Sequence, residues 1–266
     1  MKNLSKSVFL SVAVASALAA SAVAEESAGF IGLELGGSGG LQKSSIKGTV
    51  LNQSRTSSED MEAYGVNVGI IGGYKAFFTS WFGLRAYANL NYIHTLNEIE
   101  VGSRQNQNGN LTTISAEYQD YTISALNYGV NLDLLFNVLA FQQANLGLFA
   151  GVGIGANTFM TSSAVDAAKK RIAQNPDFDL LPEAIQGQLN NDIKDNKVYT
   201  GFDAWVNVGV RTNFLEHHGI EVSARVPFVA TTAYDKTIGN PAVASANANI
   251  KLYNPWNVSV RYIYSF

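Results

Sequence analysis

The sequence predicts an all-β protein: a closed, eight-stranded antiparallel transmembrane β-barrel with one partly helical external loop. Two observations predict this fold class. Segments in which every second residue is apolar recur along the chain, as strands with one apolar face require. The connections between these segments alternate between long and short. An antiparallel meander with an even number of strands therefore places all short turns at one end of the barrel and all long loops at the other.

The first 24 residues are predicted to be a cleaved signal peptide. Lys2 and Lys6 precede the apolar and small residues 8–20, and Ala22-Val23-Ala24 forms an Ala-x-Ala cleavage site. An N-terminal membrane anchor is the less favoured alternative, because the apolar run is short and ends in small residues. The chain contains no cysteine, so neither lipid attachment nor a disulfide framework is predicted. The mature domain is expected to comprise residues 25–266.

The exported chain is mildly acidic and poor in charge. Without Lys2 and Lys6, 16 of the 18 basic residues remain against 21 acidic ones, which disfavours a nucleic-acid partner. Charged residues make up 15% of the chain, compared with about a quarter in a typical soluble domain. No stretch after the signal has about 18 consecutive apolar residues, so no membrane-spanning helix is predicted.

The alternating pattern predicts eight strands, at 28–37, 63–78, 83–95, 124–138, 145–159, 199–213, 218–229 and 255–266. Long external loops are predicted at 38–62, 96–123, 160–198 and 230–254. Short turns join the remaining strand pairs, so both termini are expected on the periplasmic side. Loop 160–198 contains two predicted helical stretches, one at 167–173 and one that begins at Pro182. We expect this loop to cap the barrel mouth or to bind a host or surface ligand.

Each predicted strand has one apolar face and one polar face. The charged residues within the strands all fall on the polar face and are predicted to form a charge network in the lumen: Glu34, Lys75, Arg85, Asp133, Asp203, Arg211, Glu221, Arg225 and Arg261. Five are positive and four are negative, which favours ion pairs because an unpaired buried charge is costly. Eight strands leave an interior that side chains just fill, whereas open porins have about 16. A plugged lumen is therefore favoured over an ion pathway.

Three features favour a membrane barrel over a soluble one. Phe149 and Trp205 stand among glycines on the polar face, as in a tightly filled barrel interior. The last strand has about the 11 residues needed to cross a bilayer. Aromatic residues at the strand ends are predicted to form girdles at the two membrane surfaces: Trp81, Phe82, Phe136, Phe214, Trp256 and Phe266. These features predict the outer membrane of a Gram-negative bacterium, with lipid and lipopolysaccharide as surroundings.

The chain ends in NVSVRYIYSF, which alternates up to a terminal aromatic residue. Tyr262, Tyr264 and Phe266 resemble the C-terminal signature of outer-membrane barrels, which implies recognition by the barrel-assembly machinery. Together with residues 205–228, WVNVGVRTNFLEHHGIEVSARVPF, this ending resembles the C-terminal barrel region of the Helicobacter outer membrane protein family. The resemblance implies a small, barrel-only member of a family that includes adhesins and porin-like proteins.

No enzyme activity, metal site or cofactor is predicted. His217 and His218 are expected in a turn. His94 has the lipid-facing parity, where some outer-membrane lipid A deacylases keep a catalytic His and Ser, but its neighbours form no His-x-Ser pair. The favoured function is an outer-membrane barrel with a plugged polar lumen that displays surface loops for structural or adhesion-like roles. A small-solute channel and a lipid A-modifying enzyme are the alternatives.

Overall fold

The computed structural model describes residues 25–50, 53–108, 111–140, 144–160, 183–192, 198–214, 217–240 and 243–266. The strands are β1 Ala28–Val50, β2 Gln53–Phe77, β3 Phe82–Asn108, β4 Leu111–Ala140, β5 Ala144–Met160, β6 Val198–Phe214, β7 His218–Pro227, β8 Thr231–Asn240, β9 Ala244–Tyr253 and β10 Asn257–Ser265. The described part also contains one helix, α1 Glu183–Asp192. This helix is too short to span a membrane.

Eight of the strands form an antiparallel ring. Strands β1 to β7 pair in chain order, and β10 pairs with both β7 and β1. The β1–β10 register runs from Phe30 opposite Ser265 to Ser38 opposite Asn257. The predicted all-β class and eight-strand arrangement are therefore confirmed. We call the end of the ring near Phe30 and Phe266 the terminal end, and the opposite end the arm end.

The outward face of the ring is apolar and exposed. On β10, the outward side chains of Val258, Val260, Tyr262 and Tyr264 alternate with buried inward ones. The same holds around the ring for Leu33, Leu35, Val66, Val68, Ile70, Leu90, Val130, Leu132, Leu134, Val152, Ile154, Val206, Val208, Val210 and Val222. A continuous apolar surface of this size is unfavourable in water, and its alternation is that of a barrel whose outside is covered by hydrocarbon.

Three of the four predicted long loops are strands over most of their described lengths, so the loop predictions there were wrong. In place of loop 38–62, β1 and β2 continue as a paired hairpin up to Val50 and Gln53. In place of loop 96–123, β3 and β4 continue to Asn108 and Leu111. The alternation signal disappears in these segments because both faces carry Ser, Thr, Asn and Gly. Backbone pairing of neighbouring strands still orders them.

Loop 230–254 is likewise a hairpin, formed by β8 and β9, and β9 pairs with β1 from Leu41 to Val50. Strands β8, β9 and the distal parts of β1 and β2 therefore form a four-stranded sheet at the arm end, which we call the arm sheet. The described helix α1 begins at Glu183, one residue after the predicted start at Pro182, and contacts β8 and β9. The predicted helix 167–173 lies outside the described residues.

The two faces of the strands exchange polarity at the arm end. In the ring part of β2, Val66 points outward and Asn67 points inward. Towards the arm end of the same strand, Glu62 points outward and Met61 points inward. The inward apolar side chains at this end form one buried core, which we call the arm core: Met61, Ala63, Ile93, Tyr121, Ile123, Ala125, Phe159, Tyr199, Tyr234, Ile238, Ala246, Ala248, Ile250 and Leu252. This segment has the polarity of a protein in water, whereas the ring has the reverse.

Candidate functional site: the charged interior of the ring

The nine charged residues predicted to line the interior are all buried, with relative exposures from 0% to 5%. Their positions follow from strand parity, because side chains two residues apart point to the same face of a strand. On β3, for example, Arg85 is buried between the outward residues Leu84 and Ala86. The charges are therefore held by rigid, paired strands rather than by flexible segments.

Five of these side chains form a chain of ion pairs across the ring. Arg85 lies 2.8 Å from Asp133 on the neighbouring strand β4 and 2.5 Å from Glu221 on β7, a strand that is not its neighbour. Glu221 in turn lies 3.9 Å from Arg261, and Arg261 Nε lies 2.7 Å from Glu34 Oε2. The pairs thus link β4, β3, β7, β10 and β1.

Aromatic rings fill the space around the central guanidinium group. The carbon Cζ of Arg85 lies 5.6 Å from the ring centre of Phe30, 5.0 Å from that of Tyr87 and 4.9 Å from that of Phe149. Cations stack favourably on aromatic faces, and more strongly where water is excluded. The ion pairs and these rings together occupy one cross-section of the interior.

Asparagine side chains connect the charges towards the arm end, and sequence reasoning missed their role. Asn127 accepts a hydrogen bond from Arg225 Nη1 at 2.6 Å and donates one to Asn157 at 2.8 Å. Asn157 donates to Asp203 Oδ2 at 2.6 Å. Asp203 and Arg225 are therefore linked through amides rather than by a direct ion pair. The available signal was the recurrence of Asn at inward positions on consecutive strands.

Asn131 is the centre of a second amide cluster. It donates a hydrogen bond to Asn89 at 2.8 Å, and its Oδ1 accepts hydrogen bonds from Trp205 Nε1 at 2.6 Å and Asn207 at 3.0 Å. Trp205 is fully buried, and its ring lies 4.9 Å from the guanidinium carbon of Arg225. The large indole that the sequence placed in the interior thus fills space and also satisfies a buried polar group.

A third group of charges lies at the terminal end and depends on Glu25, which was not among the predicted site residues. Lys75 Nζ lies 2.7 Å from Glu25 Oε1, and the Arg211 guanidinium forms an ion pair with the same carboxylate. Asn145 donates a hydrogen bond to Glu25 Oε2 at 3.2 Å. Glu25 raises the number of carboxylates in the network to five, equal to its five cations.

The environment of Glu25 favours its ionised form. Burial by itself raises the pKa of a carboxyl group, but Arg211 and Lys75 hold the pKa of Glu25 below its usual value. In the sequence, Glu25 follows the predicted cleavage site and precedes the first predicted strand, so its inward position could not be inferred from strand parity. The excess of one positive charge among the nine predicted residues was the only signal of a missing carboxylate.

The predicted girdle residues lie at the two ends of the ring. Trp81, Phe82 and Phe136 form a ring-to-ring series with centre distances of 5.6 and 5.5 Å, near the β2–β3 turn. Phe214 stacks on His218 at 5.9 Å. At the arm end, Trp256 lies 6.5 Å from Tyr64.

The predicted assembly signal lies on the outside of β10. Tyr262 and Tyr264 face outward, and Phe266 is 69% exposed. Tyr262 shares a hydrogen bond of 2.6 Å with His218. The backbone N–H of Phe266 donates to Gly29 O at 3.0 Å, so this residue is held against β1 while its ring remains accessible.

His94 has a serine partner that the local sequence does not show. His94 Nδ1 lies 2.9 Å from Ser124 Oγ, and the two residues are directly opposite each other on β3 and β4. Tyr92 stacks on the imidazole ring at 6.3 Å. Because Ser124 is 30 residues away in sequence, only the strand register could have revealed this pair.

A ring of eight antiparallel strands with an apolar outward face and a charged interior defines the class of outer-membrane β-barrel proteins. The family model for the Helicobacter outer membrane proteins matches residues 69–266, and the chain belongs to that family. The resemblance seen in the sequence is thereby confirmed. No curated protein sequence matches significantly.

Several solved structures are distantly similar. They include OprG of Pseudomonas aeruginosa (13% identity, 91% of this chain and 98% of that one, TM-score 0.37). Ail of Yersinia pestis matches with 10% identity over 89% and 99% of the two chains, with a TM-score of 0.23. The protease OmpT of Escherichia coli matches with 8% identity over 89% of this chain and 97% of that one, with a TM-score of 0.34. The assignment rests on the family model.

Proposed function

We propose that this outer-membrane protein is a closed transmembrane barrel with a plugged interior, and that it serves a structural or surface-interaction role. The observation that carries this proposal is the chain of ion pairs from Asp133 through Arg85, Glu221 and Arg261 to Glu34. It joins opposite walls of the ring, so solute cannot pass without separating buried charges, which is energetically costly.

Two further obstructions support a plugged interior. The arm core fills the interior with apolar side chains at one end, where hydrated ions are poorly accommodated. The group formed by Glu25, Lys75 and Arg211 lies across the other end. Both regions narrow any path past the central chain of ion pairs.

The test of plugging is single-channel recording of the refolded chain in a planar bilayer. We expect no reproducible current steps from a preparation that migrates as a folded, heat-modifiable barrel. Regular open steps from such a preparation would overturn the proposal and favour the small-solute channel.

The channel alternative is favoured by one specific observation. Several buried polar atoms have no hydrogen-bond partner within the described residues, among them Arg225 Nη2, Arg261 Nη2 and Asn207 Oδ1. Buried water molecules typically form hydrogen bonds with such unpaired donors and acceptors. The recordings above decide whether such water forms a continuous path.

For surface display, we propose that the arm end faces outside the cell and both termini face the periplasm. The candidate contact with a host or surface ligand is the segment between β5 and β6, which includes α1. Met160 pairs directly with Val198, so an Asn-Gly turn can replace residues 161–197 without changing the ring. Cells with this shortened protein should adhere less to host cells than cells with the full chain. Equal adhesion, at equal surface levels, would refute this role for the segment.

The enzyme alternative is favoured by the His94–Ser124 hydrogen bond, since a hydroxyl next to an imidazole is the minimal unit of nucleophilic catalysis. Lipid A from cells that carry the wild-type chain should then lack acyl chains that are present in His94→Ala and Ser124→Ala cells. Identical lipid A in all three strains would eliminate this alternative.

A further inference from the structure

Two lysines lie side by side on the outward face of the arm sheet. Lys43 on β1 is directly opposite Lys251 on β9, while Gln42 and Leu252, the adjoining register pair, are fully buried on the other face. The Lys43 side chain is 48% exposed, and Lys251 is half-buried. Like charges that are directly opposite in a sheet repel each other, so this arrangement is unfavourable unless an anion lies between them.

The charges next to this pair neutralise it only in part. Lys43 lies 3.5 Å from Asp60, its register partner on β2, in an exposed contact of the kind that contributes little stability. Within the described ranges, Lys251 has no carboxylate at ion-pair distance. Glu62, the next outward carboxylate on β2, accepts a hydrogen bond from the Tyr64 hydroxyl at 2.6 Å instead. The uncompensated positive charge of the pair therefore lies on Lys251 and faces outward.

The position of the pair along the strand indicates which anion it meets. On the outward face of β1, Trp256 covers Gly37 and Gly39, and Leu41 follows, opposite Tyr253. Lys43 and Lys251 are the next outward residues on their strands. Lys43 Nζ lies 5.9 Å from the Tyr253 ring, so it lies close to the aromatic band. Aromatic belts lie at the level of the lipid headgroups, which is where lipid phosphates are found.

We propose that Lys43 and Lys251 together bind the phosphate group of a lipid in the outer leaflet. Two ammonium groups supply up to six donors to phosphate oxygens, and the bound anion removes their mutual repulsion. The site deepens the proposed function, because it rests on the proposed orientation in which the arm end faces outside. It predicts a phosphorylated lipid bound at one place on the barrel, next to Trp256.

The chain offers a matched control for this site. Lys47 lies on the same strand and the same outward face, four residues farther from the aromatic band, or about 13 Å at the usual rise. Its register partners are Asn247 and Thr56, so it has no lysine opposite. Lys47→Gln removes the same charge from the arm sheet without touching the proposed site.

The experiment is native mass spectrometry of the full chain purified in detergent, titrated with diphosphoryl lipid A or with the same lipid after removal of its phosphates. Each of Lys43→Gln and Lys251→Gln should weaken binding of the phosphorylated lipid about fivefold, and both together about 25-fold. Lys47→Gln should leave it unchanged, and the phosphate-free lipid should bind all variants alike.

Three outcomes would overturn the site: equal binding by the double variant, an equal loss in Lys47→Gln, or binding of the phosphate-free lipid by the wild-type chain as strong as that of the phosphorylated lipid. Orientation is tested separately. The chain has no native cysteine, so Lys47→Cys on intact cells can be labelled with an impermeant maleimide. Labelling supports the outward arm end, and its absence would refute the orientation even if lipid binding in detergent depends on the two lysines.

Discussion

The guanidinium group of Arg85 on β3 lies 2.5 Å from the carboxylate of Glu221 on β7, across the interior of the ring. All other ion pairs of this central chain join residues on adjacent strands, directly opposite each other in register. Among the ion pairs of this chain, Arg85–Glu221 is thus the one that joins strands on opposite sides of the ring. It crosses the interior and joins two strands that share no backbone hydrogen bonds.

The first prediction concerns this contact. Glu221→Ala should lower the unfolding free energy by about 3–5 kcal/mol. The substitution removes one of the two carboxylates that pair with Arg85, and it also removes a carboxylate that pairs with Arg261. Urea unfolding in lipid vesicles measures the change. The matched control is Ser223→Ala, on the same strand and inward face, which removes only one hydrogen bond to Ser259 and should cost about 1 kcal/mol. Similar losses in the two variants would contradict a special role for the cross-ring pair.

A second prediction follows for the Glu221→Ala protein in planar bilayers. With the link between the walls removed, we expect intermittent current steps that the wild-type chain does not show. Ser223→Ala should remain silent. If Glu221→Ala is also silent while folded, the arm core and the Glu25 group suffice to close the interior.

A third prediction concerns pH. The pKa of Glu25 is lowered in the folded protein from its usual value of 4.5. A lowered carboxyl pKa contributes stability that is fully present above the unfolded pKa and is lost as the pH falls through the folded pKa. Glu25→Gln should therefore lower the unfolding free energy by about 2 kcal/mol at neutral pH, and the difference from wild type should shrink below pH 4.5.

The control for this measurement is the neighbouring residue Glu26, which is exposed. Glu26→Gln removes an exposed carboxylate and should leave the unfolding free energy at neutral pH unchanged. A difference between wild type and Glu25→Gln that stays constant through the acidic range would show that the Glu25 carboxylate is not ionised against Lys75 and Arg211.

Strand parity made most of the interior predictable from the sequence. Once a strand was recognised by alternation, the inward position of Arg85 or Asp203 followed from counting residues by twos. The partners across the ring did not follow, because the Arg85–Glu221 contact depends on the stagger of eight strands, which no single strand encodes. The His94–Ser124 contact could not be predicted either, because it depends on the register between two strands.

The arm sheet was missed because the sequence pattern that reveals strands depends on contrast between two faces. Apart from Ile46, residues 43–49 of β1 are polar or small on both faces, so period-two alternation is absent and the sequence predicts a loop. The polarity reversal at the arm end adds to this. Ala246, Ala248, Ile250 and Leu252 do alternate on β9, with their side chains buried on the inward face. In the ring, however, the apolar face points outward, so the pattern of the ring does not predict their position.

A fourth prediction tests the packing of the girdle residue Trp256. A Cβ atom at Gly39 would lie 2.6 Å from Trp256 Nε1, whereas one at Gly37 would have its nearest neighbours at 3.8 Å. Gly39→Ala should displace the indole ring from β1 and from Tyr64, at a cost of about 1–3 kcal/mol. Gly37→Ala adds the same methyl group where there is room and should be nearly neutral. Thermal unfolding of both variants measures the difference, and equal midpoints would contradict this placement of Trp256.

The last prediction separates assembly from stability at the C-terminus. The Phe266 ring is 69% exposed on the protein surface, so Phe266→Ala removes few contacts within the barrel. The loss of unfolding free energy in lipid should not exceed the roughly 1.5–3 kcal/mol that such a ring gains on leaving water. If the assembly machinery recognises Phe266, Tyr264 and Tyr262, the same substitution should sharply lower the amount of folded protein in the outer membrane of cells.

The control is Ile263→Ala, on the inward face of the same strand. It should clearly lower the unfolding free energy in vitro, because Ile263 is buried against Phe30, Ile71 and Tyr87, but it should leave recognition by the assembly machinery intact. Normal membrane levels of the Phe266→Ala protein would show that the exposed ring is not a recognition element.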